Sequence, residues 1–526
     1  MAMIPKHLLF FLFLLGSSFL LHAQQSADTS QPVNILHAKN LYWKKIDPAT
    51  ELQILSGEVR LQQGNTRFDC DSCVINSNGH IFEAFGRVHI NDNDTTNVYS
   101  DYLRYLTITK MAYLSGHVRL SDGHATLTTP DLEYDVNNKI GTYKNGGKLV
   151  NKKSVLTSRE GMYYTQLKDI YFKKNVELTD PAYFLKSDSL LYNTETQLAT
   201  FISETYIRDS SKRVIRTREG VYDVANNHAE FTSRTNIEDK SMTASADRIA
   251  SDDKTGIIQL EGRAFMRDTA KGVTVLGDRI FVDKKKDAFL ATKKPLMIIR
   301  QDRDSIYVTA DTLFSARLSE LYQNDSAALK RFKFKDKDST NRYFEAYRHV
   351  RVFSDSLQSV SDSLFYSFRD STFQLYYDPV VWNKKSQITG DTIYLYTKNK
   401  KADRIRVIQN GFIVNEVEPG VYNQIKSTRM DGFFREGALD SVRAKGTAES
   451  VYFLQDKDSA YTGVNQTKSD IIDIYFAQGE LQKVVFRNQL KGTLFPISQK
   501  NPSEMKLEKF QWLINRRPKT KYELFE

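Results

Sequence analysis

Nine aspartates open an acidic-then-apolar tripeptide at a near-constant interval: Asp71, Asp101, Asp131, Asp188, Asp247, Asp278, Asp311, Asp362 and Asp391. Glu160 and Glu219 fill the two missing beats, and successive spacings run 30, 30, 29, 28, 31, 28, 31, 33, 51 and 29 residues. Carboxylates can serve as general acids and bases when two of them meet at a reacting atom. A carboxylate that recurs along the whole chain is a poor match to that role, because an active site is needed once. The row reads as structural. The adjacent pair Asp252-Asp253 falls in a turn pattern and reads as solvated surface.

The other chemistry-bearing residues are sparse. The nine histidines form no H-x-H, H-E-x-x-H or i,i+4 pair. There is no G-x-S-x-G, no P-loop, no dinucleotide-binding glycine set and no calcium-binding nonapeptide repeat. The two cysteines, Cys70 and Cys73, are spaced C-x-x-C. In an extended strand their side chains would point to opposite faces with Cα atoms roughly 10 Å apart, beyond the roughly 7 Å that a disulfide spans. Both are read as structural. No catalytic centre, metal site or cofactor is expected, and the chain is not read as an enzyme.

The elements that carry the acids explain their beat. A period near thirty residues marks a stacked repeat architecture. About seventeen residues after each acid stands a second signature, a small or polar residue and then apolar-x-apolar: Gly86-Arg87-Val88-His89-Ile90, Gly116-His117-Val118-Arg119-Leu120 and Lys174-Asn175-Val176-Glu177-Leu178. An opening copy, Gly57-Glu58-Val59-Arg60-Leu61, precedes Asp71, and a degenerate one is His349-Val350-Arg351-Val352. Alternation with period two predicts strands with one apolar and one wet face. Polar clusters such as Asn76-Ser77-Asn78-Gly79 and Asp283-Lys284-Lys285-Lys286-Asp287 predict the turns. No crossover helix fits between them, so consecutive strands should pair antiparallel. The fold class is all-β: two-strand repeats of about thirty residues stacked as two facing sheets along an elongated body. Each acid should open an inward-facing strand and accept turn N–H groups.

Composition agrees: 40% hydrophobic and 26% charged residues exclude a disordered or membrane-spanning chain, and 28 Tyr with 31 Phe favour strands. Residues 1–23, a short basic start followed by the apolar run Leu8–Leu21, read as a secretory signal peptide, which places the mature chain outside the cytoplasm. The formal charge of +10 has two readings, solubility with protection of sheet edges, or a basic rim for phosphorylated lipid headgroups. Export and the lack of a binding fold argue against nucleic acid.

The units Gly57-Glu58-Val59-Arg60-Leu61 to Asp71 and Gly86-Arg87-Val88-His89-Ile90 to Asp101 resemble the LptA/OstA (organic solvent tolerance) repeats of lipopolysaccharide transport. Asp378-Pro379-Val380-Val381-Trp382, Ile388-Thr389-Gly390-Asp391-Thr392-Ile393, Tyr422-Asn423-Gln424-Ile425-Lys426 and Gly446-Thr447-Ala448-Glu449-Ser450-Val451-Tyr452 look like the long OstA-like proteins of Bacteroidetes-type bacteria. The resemblance implies a twisted open β-jellyroll, or β-taco, that shields lipid A acyl chains in an apolar groove in the periplasm. The implied partners are lipopolysaccharide, other jellyroll proteins of the transport bridge joined by edge-strand addition, and an outer-membrane translocon. Candidate groove residues are Val59, Val88, Leu103, Val118, Val176, Leu190, Ile280, Leu313, Val350, Leu364 and Ile393. The same residues would equally fill the closed core of a β-solenoid scaffold or adhesin.

The expected organisation after residues 1–23 is a repeat array over 24–314, a charged insertion or linker over 315–343, and a second array with a capping segment over 344–526. The one missed beat, from Asp311 to Asp362, places the seam.

Overall fold

The computed structural model describes residues 31–526 apart from 49, 93–94, 301–304, 333, 335–337, 339, 399–400, 457–459, 478–479 and 526. The signal-peptide reading of 1–23 lies outside the described residues. The chain is all-β, and among the described residues the regular helices are two short ones, Leu318–Leu321 and Ser326–Phe332, besides brief 3-10 turns. It divides into two units, one running to Gly123 with Thr129–Gly141, the other His124–Thr128 with Thr142–Glu526.

The first unit is an antiparallel meander of long strands, Thr50–Gln63, Thr66–Asn76, Ile81–Asp92, Thr96–Leu106 and Met111–Ser121, each paired with the next. Alternation of buried and exposed residues turns one face inward, where Phe68, Phe82 and Tyr105 meet with ring centroids 4.8–5.1 Å apart. The Tyr105 hydroxyl donates to buried Gln63 Oε1 at 2.7 Å, which satisfies its polar end.

The second unit alternates long strands with pairs of half-strands. After Tyr183–Asn193 the ladder divides into two rows. One row is Leu198–Phe201, Gly220–Asp223, His228–Phe231 and Arg248–Asp252; the other is Thr205–Asp209, Val214–Thr217, Thr235–Asp239 and Met242–Ala246. Both rows rejoin on Ile257–Asp268, so ten strands close one circuit of pairings. The division repeats between Val273–Asp283 and Tyr343–Phe353, and again between Gln358–Ser367 and Lys401–Glu418. Four strands of 15–18 residues follow, from Lys401–Glu418 to Tyr461–Ala477, and Glu480–Arg487 and Lys491–Pro496 both pair with the last of them.

Each long pair slips register by one residue at a fixed place. Ser56 pairs with Ser72 and Val59 with Cys70, leaving Gly57 and Glu58 opposite Asp71 alone. This two-against-one bulge recurs as Gly86-Arg87 opposite Asp101, Lys174-Asn175 opposite Asp188, Gly262-Arg263 opposite Asp278 and Arg348-His349 opposite Asp362. Both bulged residues take left-handed backbone, for example Gly86 at φ 71° and Arg87 at φ 44°. The acid therefore sits in mid-strand or between two half-strands, at the bend, and does not open the inward strand as expected.

The bulge also switches the side-chain alternation. In Thr66–Asn76, Phe68 and Cys70 are buried before it and Cys73 and Ile75 after it. Cys70 and Cys73 consequently share the buried face, contrary to the expectation of opposite faces. Both thiols are free, and the hydrogen bond to Cys70, together with burial, pushes the Cys73 thiol far up.

The charged insertion does not interrupt the ladder. Thr312–Ala316 pairs directly with Tyr343–Phe353, from Thr312 with Tyr347 to Ala316 with Tyr343. The insertion leaves the ladder from the end of one hairpin. It packs Leu318, Tyr322 and Phe334 around Ala316, Phe314 and Tyr343.

Candidate functional site

Six of the beat acids take as partner a side chain of the next bulge rather than turn N–H groups. Arg87 donates to Asp71 through Nε at 2.9 Å, Arg263 to Asp247 at 2.9 Å, and Lys174 to Glu160 at 2.7 Å. His117 contacts Asp101 at 2.7 Å, His349 contacts Asp311 at 3.1 Å, and the Asn410 amide donates to Asp391 at 3.0 Å. The backbone joins in: Asp278 N–H donates to Lys293 O, Asp311 N–H to Arg348 O and Asp391 N–H to Gln409 O, at 3.0–3.1 Å. Asp362 makes the same backbone bond to Tyr377 O at 3.2 Å, and its carboxylate accepts the Ser363 hydroxyl at 2.8 Å. Asp188 is exposed opposite its bulge, and Asp131 is half-buried. The Arg87 and Arg263 guanidiniums hold the carboxyls of Asp71 and Asp247 below their usual range. Turn N–H groups are taken instead by strand-end acids, as Asp283 Oδ1 accepts Lys285 N and Asp135 Oδ1 accepts Asn137 N.

The apolar candidates all lie inside. Val59, Val88, Leu103, Val118, Val176, Leu190, Ile280, Leu313, Val350, Leu364 and Ile393 are each 2% exposed or less. They flank the bulges, where neighbouring side chains leave them almost no exposed surface.

Open space appears two residues farther along the same strands. A cavity of about 430 Å³ in the second unit is lined by Met266, Val275 and Met297 from one row and by Phe289, Phe344 and Phe373 from the other. Val282 lines it where Ile280 does not, and Ser315 where Leu313 does not. Both rows thus present their buried faces to one interior. Its rim is charged: Lys271, Arg300 and Arg342 stand beside Asp268 and Asp287. Arg342 donates to the Asp287 backbone oxygen at 2.7 Å and to Ser315 Oγ at 3.0 Å, and burial pushes its guanidinium down. Arg342 belongs to the insertion, so that segment supplies part of the rim. The parity of the strands named the buried face, but not where side chains are too short to fill it; Met242, Met266 and Met297 were the available signal. Among the described residues no group of three or more His, Cys, Asp or Glu is placed to hold a metal ion.

Residues 30–188 match the model of the OstA-like protein family, and residues 209–288 match that of the LptA/(LptD N-terminal domain) LPS transport proteins. The two matched stretches, one OstA-like and one LptA/LptD-like, together span less than half of the chain. Among solved structures it is similar to LptH of Pseudomonas aeruginosa, described as the LptA homologous periplasmic component of the conserved lipopolysaccharide transport device. That likeness is 13% in sequence identity, covers 33% of this chain and 82% of the other, and has a TM-score of 0.10. No curated protein matches the chain. The second match includes Met242, Met266, Val275 and Val282 of the cavity lining, drawn from both rows; Phe289, Met297, Phe344 and Phe373 lie beyond it.

Proposed function

We propose that this protein carries lipopolysaccharide by shielding lipid A acyl chains between two facing sheets of an elongated β-jellyroll solenoid. The carrying observation is the cavity whose apolar walls come from both rows of the ladder. An acyl chain entering it gains about 0.8 kcal/mol per buried CH₂, without directional contacts that would hold it at one rung. The basic groups at the rim suit phosphorylated headgroups. The periplasm is the compartment this reading requires, with outer-membrane assembly as the process.

The N-terminal edge supports a bridging role. Among the described residues Asn40–Asp47 pairs on one side only, with Thr50–Gln63, and exposes Leu41, Tyr42, Trp43 and Ile46 by 45–59%. A strand edge of this kind takes up another strand. The partners would be homologous jellyroll proteins and the outer-membrane translocon.

The rival reading, a scaffold or adhesin with a closed core, is favoured by the filled interior around Val59, Leu103 and Leu190. Photo-crosslinking in cells separates the two. A crosslinker at Phe289 or Met297 should capture lipopolysaccharide, whereas one at exposed Tyr113 should not. Capture from Tyr113 alone, with none from the cavity positions or from Val118 and Leu190, would falsify the groove reading and leave the scaffold.

A further inference from the structure

The outer face of one row is apolar where the same face elsewhere is wet. In Gln358–Ser367, Val380–Asn383, Ser386–Thr389 and Lys401–Glu418, residues of both parities are buried in succession, as in Val380, Val381, Trp382 and Asn383. Inward residues are Ser359, Val381, Ile388 and Ile413, which face one another across the register. Gln358, Trp382, Gln387 and Val414 point the other way. The last residues of the chain lie on that outward side.

Residues 505–525 cross these strands in reverse order. Gln424 Nε2 donates to Met505 O at 2.7 Å while its Oε1 accepts Leu507 N at 2.9 Å. Gln387 repeats the arrangement six residues on, with Nε2 to Gln511 O at 2.8 Å and Oε1 from Leu513 N at 2.7 Å. Gln358 Oε1 then accepts both Nε and Nη2 of Arg517, at 2.9 and 2.6 Å. All three glutamines are 5% exposed or less. Between them the segment fills apolar seats, with Met505 and Leu507 against Val414, Val451 and Phe453, and Leu513 and Ile514 against Val360, Val380 and Trp382.

A side-chain amide that donates to one backbone C=O and accepts the N–H two residues later reads extended backbone without reading its side chains. Two such clamps in line, with apolar seats between, are the elements of a peptide-binding groove. Among the described residues, the backbone–backbone hydrogen bonds of 505–525 are all local, such as Phe510 N to Leu507 O and Arg517 N to Ile514 O. The segment is held by side chains and burial and is not a strand of the sheet.

We propose that this outer face is an extended-peptide groove, that residues 505–525 are its ligand in cis, and that it accepts the same segment from a second copy of the chain. The contacts that hold the segment do not depend on its covalent link, and the link runs through irregular residues 497–504.

The test uses the full chain with a protease site inserted between Lys500 and Asn501, cleaved after folding. The freed segment should co-elute with the body, and a labelled peptide of residues 501–526 should exchange into it to one per chain. Gln387→Ala with Gln424→Ala should weaken that exchange at least tenfold, while the uncleaved double variant keeps its strand circular dichroism. Nicked body emptied of its segment and mixed with intact chain should form a pair on gel filtration, and added peptide should dissolve the pair. Peptide exchange without a pair would overturn the second-copy claim and leave the groove. Loss of the segment with no peptide binding by a body that keeps its strands, collapse of the body on nicking, or equal binding by the double variant would overturn the groove itself.

Discussion

At the residue scale, the bend between Gly86 and Asp71 shows how little room a bulge leaves. A Cβ on Gly86 would stand 2.5 Å from Asp71 Oδ2, on backbone at φ 71°. Gly123, at φ 87°, has nothing within 4 Å of its would-be Cβ. Gly86→Ala should therefore lower the urea midpoint clearly more than Gly123→Ala, whose loss is the left-handed backbone term of about 1 kcal/mol. Equal losses would mean that the acid does not constrain the bulge. Removing Arg87 should matter little by comparison, because its pair with Asp71 is open to water. The beat of acids was legible because one residue type recurs. The bulge was not, because Gly-Arg, Lys-Asn, Arg-His and Gln-Asn all occupy the same left-handed pair and share no composition. Cys70 and Cys73 were misread for that reason: period-two alternation was carried straight through a residue where it switches.

At the element scale, the long C-terminal strands carry their charges on the outward face in matched sets. Asp473, whose side chain is 4% exposed, accepts Arg443 Nε at 2.6 Å and Arg487 Nε at 2.8 Å from the strands on either side. The Arg443 guanidinium, with Arg487, holds its carboxyl below the ordinary 3.8. A depressed carboxyl contributes stability that is present above the unfolded value and lost as pH falls through the folded one. Unfolding free energy should therefore drop between about pH 5 and pH 2 by more in the native chain than in Asp473→Asn, and the variant should be weaker at pH 7 by about 2 kcal/mol. Parallel pH curves in urea melts would show that the cluster contributes nothing. Strand type was legible from alternation and turns, and the pairing is antiparallel as expected; the order was not, because half-strands such as Leu198–Phe201 skip the next strands to pair with Gly220–Asp223. The glutamines that clamp the last segment were not, since Gln358, Gln387 and Gln424 stand in the sequence as ordinary polar residues and become buried only because a segment 81–159 residues away lies over them.

At the scale of the molecule, the cavity is set by where side chains run out. Met297→Trp should fill part of it, and lipopolysaccharide capture from Phe289 should fall several-fold while the thermal midpoint holds or rises. A fall in both would mean the space is needed for folding rather than for a ligand. The eleven apolar positions taken from the sequence lie on the buried face, near the bends, each 2% exposed or less. Parity reports the face of a residue and says nothing of depth along the strand. The bulge has one further consequence. Because each bend is made by two residues against one, and pairing resumes beyond it with the same one-residue shift each time, one rung presents to the next the same edge that it received. Length is then a free variable of the design. Duplicating a whole rung of about thirty residues alters how far the interior extends without altering any contact type, whereas an insertion of any other size must leave the ladder as an excursion, as residues 317–342 do between Ala316 and Tyr343.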